Sequence, residues 1–336
     1  MKSVVTFGEL LLSLCTKDHE RLVQAQEFVA RYTGAEANVG VSLAHFGCNA
    51  FAVSKVPDNE IGQACINYLR RYGVHTDFVV RGGDRLGLLY LETGASQRAT
   101  KVVYDRGHSS FREVRPEDFD WDRILDGKDW FHFSGTAPAL GQNVVEVLTD
   151  ALKIAKRLGV RVSCDPNYRS KLWSLEDAGR VLTELMEYVD VFIGGVEDAE
   201  KLFGIRVPRA DLLPKTYQEK TADLLRQRFG FSYVAMTLRT GVSASVNRLG
   251  GMLCNVDGCC FSREYEMQIV DRVGGGDAFS AGIIYGLLTN FDPQHVIEFA
   301  TAAACLKHSI PGDFNLVTAE EVEQLAGGDA SGRVQR

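Results

Sequence analysis

Residues 143–164, NVVEVLTDALKIAKRLGVRVSC, combine a helix pattern, a helix stop and a strand pattern. Apolar side chains recur every three or four residues, which predicts a helix with one buried face over residues 143–158. Gly159 predicts the end of that helix, and residues 160–164 form a short apolar run typical of a buried strand. This order of helix and strand is typical of α/β proteins.

The same alternation continues on both sides of this stretch. Strand patterns lie at residues 4–14, 50–56, 130–133 and 189–194, and helix patterns lie at residues 35–46 and 61–72. Parallel strands need a crossover connection, usually a helix. The order of elements therefore predicts a central, mainly parallel sheet with helices on both faces.

Three regions depart from this alternation. Residues 85–105 predict a hairpin around Thr93-Gly94-Ala95-Ser96, and residues 10–33 extend the first strand without a helix pattern. These two insertions are expected to pair into a small separate sheet. Residues 232–268 are also rich in strand formers, with turns predicted at residues 240–241, 249–251 and 257–258.

Composition excludes several classes of protein. The 336 residues include 37 Lys and Arg against 44 Asp and Glu, a formal net charge of −7, and 45% are hydrophobic. This hydrophobic content is too high for a disordered chain, and the negative charge predicts neither nucleic acid nor an anionic membrane as a partner. The eight cysteines are scattered without a C-x-x-C pair, and no apolar run is long enough to cross a bilayer. We expect a cytoplasmic protein with unpaired thiols.

The strongest motif is residues 271–282, DRVGGGDAFSAG. Three glycines before a helix pattern bring backbone N–H groups and the positive end of the helix dipole to one point, which predicts an anion site. Asp277 at the start of this helix is placed to act as a general base beside that anion. The alternative is an ordinary strand-to-helix turn in which Asp277 caps the helix.

Further segments accompany this motif in a specific order. They are GAEANVG at 34–40, VYDR at 103–106, DPNYR at 165–169 with LW at 172–173, TLR at 237–239 and KHSIPG at 307–312. Together with DRVGGGDAFSAG they resemble the ribokinase-like (PfkB) carbohydrate kinases along nearly the whole chain. The form D-R-V-G-G-G-D is similar to that of 2-keto-3-deoxygluconate (KDG) kinases.

This resemblance implies a Rossmann-like ribokinase fold over residues 1–328, with a central, mainly parallel sheet flanked by helices. It implies a small β-sheet lid formed from residues 10–33 and 85–112. Residues 329–336, rich in glycine and charge, are expected to form a mobile tail. An exposed lid sheet further predicts a homo-oligomer that assembles through the lid.

The implied activity is ATP-dependent phosphorylation of 2-dehydro-3-deoxy-D-gluconate to its 6-phosphate. Asp277 would accept the hydroxyl proton, the amides of Gly274, Gly275 and Gly276 would stabilise the transferring phosphoryl group, and Mg²⁺ would bridge phosphate oxygens. The implied substrate residues, besides Asp277, are Gly34, Asn38, Tyr90, Tyr104, Arg106 and Arg169. The implied nucleotide residues are Asn167, Arg239, Gly241, Gly274 and Gly276.

Each of these residues also has a structural interpretation. Gly34 and Asn38 fit a turn and a helix cap, the tyrosines fit exposed strand positions, and the arginines fit surface ion pairs. Two arginines beside a polyol site nevertheless favour an acidic sugar over a neutral one.

The metal site departs from the family pattern. Family members commonly carry N-x-x-E after the strand at 189–194, where this chain has Gly195 and Asp198. We expect Asp198 and Glu197 to hold magnesium through water, and Asp271 to shape a monovalent-cation (K⁺) site. Two alternatives stay open: a kinase of the same fold for a neutral sugar such as fructose, and a catalytically weak sugar- or nucleotide-binding sensor, which Gly195 suggests.

Overall fold

The computed structural model of the protein describes residues 1–208, 213–241 and 245–329. The strands are Ser3–Phe7 (β1), Leu11–Thr16 (β2), Phe28–Thr33 (β3), Asn49–Val56 (β4), His75–Arg81 (β5), Gly87–Glu92 (β6), Lys101–Asp105 (β7), Trp130–Ser134 (β8), Arg161–Asp165 (β9), Val191–Ile193 (β10), Tyr233–Gly241 (β11), Val246–Asn255 (β12), Gly258–Phe261 (β13) and Tyr265–Gln268 (β14). The helices are Ala35–His45 (α1), Glu60–Arg71 (α2), Trp121–Leu125 (α3), Gln142–Leu158 (α4), Leu175–Leu185 (α5), Val196–Phe203 (α6), Pro214–Phe229 (α7), Gly275–Leu288 (α8), Pro293–Lys307 (α9) and Ala319–Ala326 (α10).

A ten-stranded sheet forms the body, in the order β13-β12-β11-β10-β9-β8-β1-β4-β5, with β14 also paired to β12. Parallel ladders join β11 through to β5, and β12, β13 and β14 add antiparallel pairs. The predicted α/β class with a mainly parallel sheet is confirmed. The strand order reverses at β1: β4 and β5 are added on one side of it, and β8 to β11 are added on the other. A crevice at the carboxyl ends of such strands is where ligands bind in open α/β sheets.

The central strand β1 is buried on both faces, as expected for a parallel strand covered by helices, with Val4, Val5 and Phe7 fully buried. The single predicted strand at 4–14 is wrong, because the chain leaves the body after β1 and β2 belongs to another sheet. Between the two strands, the buried carboxylate of Glu9 pairs with Arg106 and Ser109, so its side chain is held where the chain passes from one sheet to the other.

A separate four-stranded sheet has the order β3-β2-β6-β7. Its strands lie within residues 10–33 and 85–112, and β6 and β7 form the hairpin that the sequence predicts. Its buried hydrophobic cluster comprises Leu11, Cys15, Leu89 and Leu91. The adjoining residue Val273, from the segment before α8, packs on this cluster and brings the sheet next to the triple glycine.

The predicted turn at 249–251 is wrong, because β12 runs through it without a break. A Cβ on Gly251 would lie 2.5 Å from Thr301 Oγ1 and 2.8 Å from Ile297 Cδ1, so the glycine lets α9 approach the strand closely. The predicted turn at 257–258 is confirmed between β12 and β13.

Cysteine pairing also differs from the prediction of unpaired thiols. Cys254 and Cys259 form a disulfide between directly opposite positions of β12 and β13. The other six cysteines are free thiols. Within the described ranges, no helix is long and apolar enough to cross a membrane. Apart from Asp329, the predicted tail at 329–336 lies outside the described residues.

Candidate active site

A cavity of about 750 Å³ opens at the carboxyl ends of β9, β10 and β11, beside the start of α8. Polar groups from several elements line it, among them Asp165, Asn167, Arg169, Glu197, Asp198, Thr237, Arg239, Gly276 and Ser280. The sheet therefore brings together side chains that are more than 100 positions apart in the sequence. The size suits a nucleotide-sized ligand.

The triple glycine adopts a backbone that only this sequence permits. Gly274 precedes α8 with φ of 82°, and a Cβ there would clash with the carbonyl oxygen of Asp313. The His308 imidazole packs against Gly275, whereas Gly276 is exposed with open space above it. Gly276 and the α8 N-terminus line the cavity, as an anion site requires, whereas the Gly275 N–H donates to the Arg272 carbonyl oxygen.

Asp277 lies in the first turn of α8, immediately after this loop. Its Oδ2 accepts a hydrogen bond of 2.6 Å from Asn38 Nδ2. Asn38 is in turn oriented by Thr33, whose Oγ1 donates to Asn38 Oδ1 over 3.1 Å. Burial raises the pKa of Asp277 to about 6, while the Asn38 hydrogen bond and Arg169 oppose that shift. A buried carboxylate with such a pKa suits a general base at neutral pH.

Two further carboxylates face the same cavity. Burial and the nearby charges of Asp198 and Asp277 raise the pKa of Asp165 to about 8. Burial also raises the pKa of Asp198. The exposed Arg169 lowers the pKa of all three carboxyl groups, which places its guanidinium within electrostatic reach of each. Sequence reasoning quoted Asp165 within DPNYR without giving it a role; its position at the end of a strand was the available signal.

The predicted metal residues Glu197 and Asp198 lie in the first turn of α6, which begins after Gly195. Asp198 Oδ2 accepts a hydrogen bond of 2.7 Å from the Gly195 N–H, so this carboxylate also caps the helix. Glu197 Oε2 accepts a hydrogen bond of 2.8 Å from Lys201 Nζ at the surface. Asp165, Glu197 and Asp198 line one cavity and carry the oxygen atoms that Mg²⁺ prefers, but among the described residues no three acidic, His or Cys side chains converge closely enough to form a metal site by themselves.

The predicted nucleotide residues lie on the same side of the loop. Asn167 and Arg239 line the cavity, and Gly241 ends β11. Asn167 has φ of 41°, and its N–H donates to Asp165 Oδ1 over 2.9 Å. Arg239 Nη2 lies 3.4 Å from His308 Nε2. Burial lowers the pKa of His308 to about 4, so the ring is neutral and accepts this hydrogen bond.

The predicted substrate residues of the small sheet do not all face the site. Tyr104 is directly opposite Leu89, on the face that packs against Val273, whereas Tyr90 is directly opposite Val103. Because neighbouring residues of a strand point to opposite faces, the two tyrosines cannot cover one ligand together. Tyr90 instead packs against Phe28 on the outer face, at a ring-centroid distance of 5.9 Å. Tyr90 and Tyr104 therefore lie on opposite faces of the small sheet, and the substrate role of each stays a prediction.

Arg106 is buried in an ion pair with Glu9, to which its Nε donates over 2.5 Å. Its guanidinium also lies 5.7 Å from the centre of the Tyr104 ring. Gly34 caps α1 beside the Glu9 backbone, where a Cβ would clash with the Glu9 carbonyl oxygen. Glu9 therefore links two predicted substrate residues, and sequence reasoning did not identify it.

Asp271 holds two backbone segments together. Its Oδ1 accepts from the Val273 N–H over 3.1 Å, and its Oδ2 accepts from the Gly312 N–H over 2.8 Å. Its carbonyl oxygen accepts a hydrogen bond from Lys307 Nζ. These contacts place Asp271 beneath the triple glycine. It does not line the cavity that Asp165, Glu197 and Asp198 line.

A parallel α/β body with a carboxylate beside a glycine loop and a polar cavity is the arrangement that a phosphotransferase requires. Residues 1–318 match the pfkB family of carbohydrate kinases, and the chain belongs to this family. It is a kinase that transfers a phosphoryl group to a sugar hydroxyl.

Several similar proteins are named as kinases of dehydro-deoxy sugar acids, which differ in the sugar acid. A solved structure of 2-dehydro-3-deoxygluconokinase from Thermotoga maritima is 49% identical, with a TM-score of 0.95 over 98% of this chain and 100% of that one. A 2-dehydro-3-deoxygalactonokinase from Haloferax volcanii is 33% identical over 97% of this chain and 98% of its own length. A 2-dehydro-3-deoxygluconokinase from Bacillus subtilis is 28% identical over 93% of this chain and 91% of its own length. The predicted family and ribokinase-like fold are confirmed.

Proposed function

We propose that the protein phosphorylates 2-dehydro-3-deoxy-D-gluconate at its 6-hydroxyl with ATP. The observation that carries the proposal is the juxtaposition of Asp277, oriented by Asn38, with the exposed Gly276 at the start of α8 and the Arg169 guanidinium. In this proposal Asp277 is the base, the glycine loop binds phosphate, and Arg169 binds the carboxylate of the sugar acid. The names of the relatives from Thermotoga maritima and Bacillus subtilis support the same substrate.

In the proposed mechanism, the sugar lies between the small sheet and α8, with its terminal hydroxyl at Asp277. Asp277 accepts the hydroxyl proton as the oxygen attacks the terminal phosphorus of ATP, while the bond from that phosphorus to the β-phosphate oxygen breaks and ADP leaves. The amides of Gly274, Gly275 and Gly276 stabilise charge on the phosphoryl oxygens, and their geometry is set before substrate arrives. Arg169 binds the sugar carboxylate, and Tyr104 contacts the sugar from the small sheet.

The nucleotide occupies the 750 Å³ cavity, where Asn167, Arg239 and the segment ending at Gly241 contact it. Mg²⁺ supplies charge neutralisation on the phosphate oxygens when bound. Asp198 and Asp165 would hold it directly or through water, with Glu197 further out. In this arrangement Asp165 supplies the oxygen ligand that the family's Asn supplies and that Gly195 lacks.

The small sheet acts as a lid in this proposal and as an assembly surface. Its outer face carries exposed apolar side chains, including Phe28 and Val103, 38% and 52% exposed. A second copy covering this face would bury them, so we propose a homo-oligomer formed through the lid. We also propose a cytoplasmic location, where ATP and a sugar-acid substrate meet.

The proposal is tested with a panel of D-2-dehydro-3-deoxygluconate, its galactonate epimer, D-gluconate, D-fructose and D-ribose, each with Mg-ATP. ADP release gives the rate, and ³¹P–¹H correlation of the product identifies the phosphorylated carbon. We expect the two 2-dehydro-3-deoxy acids to be the preferred substrates, with the 6-phosphate as product. Faster turnover of fructose than of either acid would refute the sugar-acid assignment and favour the neutral-sugar alternative.

The carboxylate contact is tested with Arg169→Ala, using Arg180→Ala on the exposed face of α5 as the matched control. Loss of a charge-assisted hydrogen bond of about 1.5–3 kcal/mol predicts a fall in kcat/KM of about 10- to 100-fold on the acid. The control is expected to retain wild-type kcat/KM. Equal kcat/KM for Arg169→Ala and wild type would show that Arg169 does not bind the carboxylate.

A further inference from the structure

Lys307 is a fully buried lysine that the proposed chemistry does not use. It is the last residue of α9, and none of its surface is exposed. A lysine is almost never buried in this way unless polar or charged groups compensate for the loss of water. Its partners therefore indicate what it is for.

Those partners belong to two segments that meet under the triple glycine. Lys307 Nζ donates to the carbonyl oxygens of Ile310 over 3.1 Å and Asp271 over 3.4 Å. The charges of Asp271, Asp313 and Asp277 favour the ammonium form, against burial, which lowers the pKa of Lys307. The ammonium thus donates to two backbone carbonyl oxygens, and three carboxylates lie within electrostatic reach of it.

The same place is next to the anion site. A Cβ built on Gly274 would lie 3.3 Å from Lys307 Cε and would also meet Asp313, so both pack against this glycine. The Asp271 carboxylate also joins these two segments, residues 271–273 and 310–313. It accepts hydrogen bonds from the N–H groups of Val273 and Gly312. The Lys307 side chain therefore packs directly beneath the glycine loop.

These groups do not fit the K⁺ ion that the sequence led us to expect at Asp271. Carbonyl and carboxylate oxygens are suitable ligands for such an ion, but the carbonyls of Asp271 and Ile310 already accept hydrogen bonds from an ammonium group. Both oxygens of the Asp271 side chain accept backbone N–H groups. A second cation between the same oxygens would meet the positive charge of Lys307 at short range.

We propose that Lys307 is a built-in cation that takes the place of a monovalent metal ion. It is a positioning residue: it joins segments 271–273 and 310–313, holds Gly274 in place and adds positive charge below the phosphoryl site. The role of Lys307 in turnover rests on the proposed function of the glycine loop. The proposal that its ammonium group fills the cation site does not rest on that function. The enzyme is then independent of K⁺.

The first experiment measures the unmodified protein in KCl, NH₄Cl and tetramethylammonium chloride at equal ionic strength, with tetramethylammonium as the ATP counterion. We expect kcat/KM to agree within twofold and the melting temperature to be the same in all three salts. Activation of more than tenfold by K⁺, or a melting temperature raised by K⁺ alone, would overturn the proposal. The melting temperature decides the question even if no sugar on the panel is phosphorylated.

The second experiment removes the ammonium with Lys307→Ala, and uses Lys220→Ala on the exposed surface of α7 as the control. We expect kcat to fall about 10- to 100-fold in tetramethylammonium, as for loss of a supporting group, and to recover in part with K⁺ or ethylammonium. A melting temperature that depends on K⁺ should appear only in this variant. Wild-type kcat in Lys307→Ala without added cation would refute the role.

If Lys307→Ala does not fold, Lys307→Met keeps the apolar stem of the side chain and is measured in the same way. Lys307→Met that folds and shows wild-type kcat in tetramethylammonium would refute the positioning role. A loss that ethylammonium does not reverse is the expected result for this variant, because the methionine side chain fills the space.

Discussion

The loop before α8 and the small sheet lie on opposite sides of the proposed sugar position, and they are held in different ways. Buried groups of the body, including Asp313, Lys307 and His308, support the loop from below. The small sheet has a buried cluster of four hydrophobic residues and leaves its outer face exposed. The proposed catalytic groups at the loop before α8 are therefore fixed by the large hydrophobic core. The proposed substrate contacts on the small sheet are held by a much smaller cluster.

The buried polar contacts of the two regions also differ in kind. On the body side, the Asn38 amide donates to the Asp277 carboxylate, which stays available as a base. On the small-sheet side, the Glu9 carboxylate pairs with the Arg106 guanidinium, and each neutralises the other. The first contact tunes a reactive group, and the second anchors the sheet. Substitutions on the body side should therefore change kcat, and those on the sheet should change KM.

The largest expected effect is that of Asp277→Asn. Loss of the general base predicts a fall in kcat of about 10³-fold, with little change in KM. Because burial disfavours the charged form of this carboxyl, the amide should leave the melting temperature unchanged or raise it. Steady-state kinetics and thermal denaturation measure the two quantities. Asp223→Asn, on the exposed side of α7, is the control and should behave as wild type. Full turnover by Asp277→Asn would exclude it as the base.

The pH dependence tests the Asn38 contact. The pKa of Asp277 is raised by burial to about 6, and the reaction needs the ionised form, so kcat/KM should decline as the pH falls below about 6. In Asn38→Ala the carboxylate loses a hydrogen bond that favours ionisation, and the inflection should move to higher pH by about one unit. Profiles from pH 4.5 to 9 measure both points, with Asn67→Ala on exposed α2 as the control. An inflection that stays in place in Asn38→Ala would contradict this account.

The smallest effects concern the two tyrosines of the small sheet. Tyr104→Phe should raise KM for the sugar by about threefold to tenfold, the value of one hydrogen bond of about 1 kcal/mol, with kcat nearly unchanged. Tyr90→Phe should leave both constants within twofold of wild type, because its side chain is on the outer face. Initial-rate measurements with varied sugar at saturating ATP give these values. An increase in KM with Tyr90→Phe that equals that with Tyr104→Phe would contradict the assignment of faces.

Much of the fold was predictable because its signals are local. Periodicity and glycine stops predicted α1, α2 and α4 to within about two residues at their ends, and strand–helix alternation predicted the parallel sheet. The errors had non-local causes. Glu9 lies where the chain leaves the first strand, and its partner Arg106 is 97 positions away; Gly251 of β12 packs against α9, which is also distant in the sequence.

By itself, the sequence determined the α/β class, the glycine loop and the identity of the proposed base, because these depend on periodicity and on one continuous motif. Only the tertiary structure decided which tyrosine faces the site, that Asp165 joins Asp198 and Asp277, and that Lys307 lies beneath the loop. Strand register places alternate side chains on opposite faces, and burial sets the charge of a carboxyl group or a lysine. Both depend on neighbours that are distant in the chain, so neither can be determined from local sequence.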